Sequence, residues 1–145
     1  MKIKAILGLA AVAAMSVGLT ACGSANYKDG TYTGVSSVYD MDESGVDGYG
    51  EVTITIENGQ VTECVFNTYE SDGTLKDEEY GKQDGEVKNQ DYYNKAQKAL
   101  AGSNEYAKLF LETGDYHSFD AISGATISYN QFMDAVDDAL SQAEE

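Results

Sequence analysis

Val52-Thr53-Ile54-Thr55-Ile56-Glu57-Asn58-Gly59-Gln60-Val61-Thr62-Glu63-Cys64-Val65-Phe66 is the stretch on which the fold turns. Its first five residues alternate apolar and polar with period two, the pattern of a half-buried strand. Asn58-Gly59 signals a two-residue hairpin turn, because both central positions need positive φ. Residues 61–66 return as the second strand. Pairing across that turn sets Ile56 opposite Val61 and Val52 opposite Val65 on one side of the sheet. It also sets Ile54 opposite Glu63, which does not suit a dry face. Either that position lies at the sheet margin or a bulge shifts the register.

On the N-terminal side, residues 27–39 read as a first strand interrupted at Gly34. Residues 40–50 form a polar loop whose D-x-D-x-S-G run, followed by Glu51, imitates a calcium-binding EF-hand in spacing. An EF-hand needs a helix on each side. Both flanks here read as strand, so an acidic hairpin loop is expected and no metal. On the C-terminal side, residues 68–89 are polar and irregular, with room for a short strand. Residues 91–101 read as a helix with Tyr93, Ala96 and Leu100 on one face. After Gly102-Ser103, residues 105–111 form a second helical piece carrying Tyr106, Leu109 and Phe110, which Gly114 ends. A last helix over 129–143 buries Phe132, Val136, Ala139 and Ala143. The expectation is an α+β fold, an antiparallel sheet of hairpins packed with about three helices. No internal repeat is present, and the chain holds one domain over 27–143.

Just before the last helix runs Asp120-Ala121-Ile122-Ser123-Gly124-Ala125-Thr126-Ile127-Ser128. Ser128 with Gln131 makes an S-x-x-Q capping box. Gly124 and Ala125 remove side-chain bulk, so a large group could approach the backbone. Thr126 places a hydroxyl near a helix start, where unpaired N–H groups suit a phosphate. Spacing alone also fits a glycine-containing turn into a capped helix.

Residues 1–21 read as a secretory signal: Lys2 and Lys4 form the positive end and residues 5–19 the apolar run. The run ends in Leu19-Thr20-Ala21-Cys22, which resembles a bacterial lipobox. Cleavage before Cys22 and its acylation would follow, with residues 22–26 as lipidated cysteine and short linker. Four extended residues reach roughly 14 Å, so the domain would ride close to the membrane. Cys64 is then alone and reads as a buried strand residue. The sequence carries 9 basic and 25 acidic residues, and losing Lys2 and Lys4 leaves 7 against 25, a balance of −18. Nucleic acid is an unsuitable partner without a basic footprint.

The D-x-x-S-G-A-T run resembles the flavinylation motif of the FMN-binding domain family, which includes flavin subunits of membrane redox pumps. The resemblance extends from about Asp29-Gly30-Thr31-Tyr32-Thr33-Gly34 to Leu140 and is nearest to surface lipoproteins of Gram-positive bacteria. It implies FMN joined covalently, by a phosphoester, to Thr126. Asp120, Ser123, Gly124 and Ala125 would be the recognition sequence for an FAD- and Mg-dependent flavin transferase. By position, Tyr129, Tyr116 and Tyr80 are candidate faces for the isoalloxazine ring, and His117 a candidate hydrogen-bonding partner. Surrounding carboxylates are expected to lower the flavin's potential.

The function this implies is an electron carrier with no substrate or catalytic residue of its own. It would sit on the outer face of the membrane, anchored by lipid. A quinone-linked dehydrogenase would be the donor; ferric iron, free flavin or a reductase would be the acceptor. A flavin-dependent reductase of a small acceptor is one alternative. A binding lipoprotein without flavin is another.

Overall fold

The computed structural model describes residues 26–41 and 46–144. The signal segment, Cys22 and the centre of the acidic loop lie outside the described residues. The described residues hold four strands: β1 (Gly30–Val35), β2 (Tyr39–Met41), β3 (Val46–Glu57) and β4 (Gln60–Tyr69). Two helices follow, α1 (Gln90–Thr113) and α2 (Thr126–Ala143). All pairings are antiparallel. The long β3 takes β4 on one side and both β1 and β2 on the other, so four strands fill three rows.

The hairpin resolves the Ile54 conflict with a bulge. Ile56 pairs with Val61, the register shifts between Thr55 and Ile56, and Ile54 then faces Cys64 rather than Glu63. The shift also corrects the expected pairing of Val52, which faces Phe66, while Val65 turns outward at 54% exposure. Val52, Ile54 and Ile56 are buried in one face of the sheet. On the other face, threonine hydroxyls pair across strands, Thr31 with Thr55 and Thr33 with Thr53, each at 3.3 Å.

Both helices cover the apolar face, α2 over β1 and β3 and α1 over β4. Phe66, Tyr106, Phe110, Phe132, Val136 and Leu140 fill the space between the layers. Burying each such side chain contributes about 1.5–3 kcal/mol. Gly34 does not interrupt its strand. It is where α2 comes closest: a Cβ there would lie 2.0 Å from the Ala135 carbonyl oxygen and 2.4 Å from the Ala139 nitrogen. The chain leaves strand geometry two residues later, at Ser36. Between β4 and α1, the expected short strand is reduced to isolated bridges, Tyr69 with Leu75 and Gln83 with Glu86.

The helix count differs from the expected three. The two pieces on either side of Gly102-Ser103 are one helix of 24 residues. A glycine inside a helix costs roughly 1 kcal/mol relative to alanine. Here its missing side chain admits Ala125, whose Cβ would lie 2.5 Å from a Cβ on Gly102. The Ser103 hydroxyl donates to the Ala99 carbonyl within the helix at 2.9 Å. Asn89 caps the start of α1 by accepting from the Tyr92 N–H, and Gly114, left-handed at φ 69°, closes its end.

Along the edge, α2 ties down β1. Val35 donates its N–H to Asp138 Oδ2 at 2.9 Å, and Gln142 Nε2 donates to the Thr33 carbonyl at 2.8 Å. The Lys28 N–H donates to the Ala143 carbonyl at 2.8 Å, beside a bridge between Tyr27 and Glu144.

Cys64 is half-buried under the helices, and burial pushes its thiol up from 9.0 to about 12. Alkylation at pH 8 should therefore run on the order of 10²–10³-fold slower in the folded protein than in denaturant. A rate matching the denatured one would place the thiol at the surface. Because folding favours the protonated thiol, this contribution to stability is present below pH 9 and declines as pH rises from there toward 12.

Candidate functional site

The segment joining the helices folds as a short loop whose two ends are held by one buried phenol. Tyr106, from the middle of α1, is fully buried. Its hydroxyl donates to the Ala125 carbonyl at 2.9 Å and accepts from the Ile122 N–H at 2.9 Å. The Ala125 N–H closes a turn on the Ile122 carbonyl, also at 2.9 Å. Burial is the main reason the phenol's pKa is raised, so it stays protonated and able to donate. The sequence marked Tyr106 only as part of an apolar helical face. Tyr106→Phe would strand a carbonyl and an N–H in the loop. Stability should fall by about 1–3 kcal/mol in chemical denaturation, with faster hydrogen exchange at Ile122. Unchanged exchange there would mean the loop is held by other contacts.

Gly124 lies at the outer bend of the loop with φ +87°, and a Cβ there would come within 3.2 Å of the Lys98 stem. Ser123 and Asp120 flank it at the surface. α2 then begins at Thr126, three residues earlier than expected, because the Tyr129 N–H already donates to the Ala125 carbonyl at 3.0 Å. The capping box does not form. The N-cap is Ala125, and no side chain accepts from the first turn. Gln131 is buried instead, its amide donating across the fold to the Gly48 carbonyl at 3.1 Å. Thr126 is thus an exposed first residue of a helix with a bare N-terminus.

Beside it opens a cavity of about 370 Å³, within the range of roughly 300–1,000 Å³ for small-molecule sites. One end is made by Gly124, Ala125, Thr126, Ile127 and Ser128. Ala96, Ala99, Leu100 and Ser103 of α1 form a wall that continues to Lys95 and Tyr92. Lys76 and Tyr80 contribute from the segment after β4, and Thr68 and Gln131 from the interior. Lys76 is only 7% exposed, with Nζ 4.7 Å from the centre of the Tyr80 ring.

The charge here reverses that of the chain. Every one of the 9 basic residues is a lysine. Lys76 and Lys95 line the cavity and Lys98 packs on Gly124. No aspartate or glutamate is among the described residues that line it. The carboxylates expected around the flavin are absent from the described lining of this cavity. Lys95 and Lys98 share a helix face by their spacing, and the fold adds Lys76 from the segment after β4.

Of the aromatic candidates, the structure brings only Tyr80 to the cavity, and adds Tyr92. Tyr129 packs against Tyr106 at 5.6 Å and donates its hydroxyl to the Phe119 carbonyl. Tyr116 packs edge-on to Phe110 and donates to Asp137 Oδ1 at 2.5 Å. His117 is exposed, its ring 4.0 Å from that of Tyr116. Helix geometry and the turn over 115–118 direct these three residues away from the cavity, despite their nearness to the motif in sequence.

FMN fits the residues present. Its phosphate would meet the bare start of α2, beside the loop on which the Lys98 stem packs. Its ring would meet apolar alanine and leucine walls and two tyrosines. Among the described residues, no cluster of three or more His, Cys, Asp or Glu is placed to hold a metal ion. No described helix is long and apolar enough to cross a membrane.

A family model described as an FMN-binding domain matches residues 45–141. The chain resembles the crystal structure of the CPE2226 protein from Clostridium perfringens, with a TM-score of 0.56 at 23% identity over 81% of this chain and 88% of that one. That likeness shows a shared fold. A solution structure of a protein from Clostridium thermocellum is 30% identical over 81% of this chain and 93% of that one, with a TM-score of 0.42. No curated protein matches.

Proposed function

The chain belongs to the FMN-binding domain family, and from that footing we propose that it is an electron carrier with FMN held by a phosphoester on Thr126. The observation that carries this reading is the placement of Thr126. Its residue is exposed, opens a helix with no side-chain cap, and stands at the end of a cavity suited to a flavin. A hydroxyl there needs a base to act as nucleophile. His117, the one histidine in the chain, lies outside the cavity lining. This supports attachment by a separate flavin transferase that reads Asp120, Ser123, Gly124 and Ala125.

Once attached, FMN supplies one- and two-electron transfer. The chain's own residues hold it. The first N–H groups of α2 and the Lys98 ammonium balance the phosphate charge. Gly124 lets the Lys98 stem lie against the loop. Tyr80 and Tyr92 offer apolar faces, and the packed wall of α1 excludes water from one side. The cellular setting is anchorage through Cys22 at the outer face of the membrane of a Gram-positive cell. There the domain would take electrons from a quinone-linked dehydrogenase and pass them to ferric iron, free flavin or a reductase.

Expression beside an active transferase tests the reading. A fluorescent band should survive denaturing electrophoresis, and the intact mass should rise by one FMN less one water. An unmodified mass with the transferase shown active on a control substrate would overturn it.

A further inference from the structure

We propose that Lys76 sets the reduction potential of the flavin, holding it above the value that the acidic chain would otherwise impose. The proposal rests on the reading that FMN occupies the cavity, and adds what tunes it there. Lysine is seldom buried, since the ammonium loses its hydration. Lys76 is nonetheless 7% exposed and lines the cavity. Two of its contacts help to fix it there. Its N–H donates to the Thr68 carbonyl at 2.9 Å, and its ammonium lies over the Tyr80 ring at 4.7 Å. The half-buried aromatic face attracts the cation.

The cavity extends along α1 from Ser103, beside the Thr126 end, to Tyr92. At 1.5 Å per residue those eleven steps span about 16 Å. A phosphate fixed at Thr126 therefore leaves the ring inside the cavity, among Lys76, Tyr80 and Tyr92. Reducing the oxidised ring takes two electrons and one proton and leaves a monoanion. A quinol-class donor supplies the electrons, becomes the quinone, and releases its second proton to water. The Lys76 charge stabilises the product anion more than the neutral oxidised ring, and low local polarity strengthens the effect. The sign is opposite to that expected from overall composition.

Spectroelectrochemical titration of the flavinylated protein reads this directly. Lys76→Gln should move the midpoint negative. At the potential where the unaltered protein is half reduced, its ratio of oxidised to reduced flavin should rise about tenfold, equivalent to about 30 mV for a two-electron couple. Lys76→Met, which keeps the unbranched stem, should shift it equally. Lys76→Arg should restore most of the original value. Lys108→Gln, on the exposed face of α1 beside Glu105, should leave it unchanged. A midpoint unmoved in Lys76→Gln and Lys76→Met, with the fluorescent band intact, overturns the proposal and leaves the attachment site standing. Loss of the band in the unaltered protein overturns the functional reading and this proposal with it.

Discussion

Thr126→Val is expected to carry no covalent flavin at all, while folding as well as the unaltered protein. Valine keeps the β-branched shape and removes only the hydroxyl oxygen that would bond to phosphorus. The residue is exposed at the first position of α2, so stability should change by no more than about 0.5 kcal/mol. The readouts are the fluorescent band after denaturing electrophoresis, the intact mass, and the unfolding midpoint. Thr126→Ser keeps a hydroxyl at the bare helix start and should retain attachment at lower yield. Ser123 and Ser128 are the nearest alternative hydroxyls. If the valine variant is still heavier by one FMN less one water, one of them is the acceptor and the assignment fails.

Gly34→Val is expected to be the most damaging single change in the sheet, lowering stability by about 3–5 kcal/mol. The contact is backbone on backbone: a Cβ at Gly34 would be 2.0 Å from the Ala135 carbonyl oxygen and 2.4 Å from the Ala139 nitrogen. No rotamer change relieves such an overlap. α2 would have to lift from β1 and lose the bonds that Asp138 and Gln142 make to that strand. Because α2 also begins the cavity, flavin attachment should fall with stability. Urea unfolding of the variant checks the prediction. A loss below about 1 kcal/mol would mean that the helix sits less tightly than described.

The parts of this fold readable in advance were those set by neighbours in sequence. Period two over 52–56 and the Asn58-Gly59 turn lead straight to the central hairpin. An isoleucine facing a glutamate left either a sheet margin or a bulge open, and the bulge is what forms. The failures share a different cause. Ser128 and Gln131 match a local cap, yet Gln131 is claimed by the Gly48 carbonyl, 83 residues away. Gly102-Ser103 looks like a helix break, yet it is the landing place of Ala125. Tyr116 and Tyr129 flank the motif, yet their rings belong to the aromatic cluster around Phe110 and Tyr106. At the site, Thr126 and Gly124 were visible as a motif. Tyr92, Lys95 and Lys98 recur every third residue of the expected helix and share a face, a signal the reading passed over; Lys76 joins them only through the fold.

The bond from Lys28 to Ala143 gives the domain a polarity. Both ends of the described residues meet at the C-terminal end of α2, while Thr126 lies at the other end of the same 18-residue helix. At 1.5 Å per residue, that places the attachment residue about 26 Å from the point where the N-terminal segment enters the domain. Any tether acting through that segment would grip one pole and present the redox centre from the opposite one. The helix is then a rigid boom. If the chain is tethered and flavinylated as proposed, the helix length would separate tether and flavin, and partners would approach the domain's distal pole.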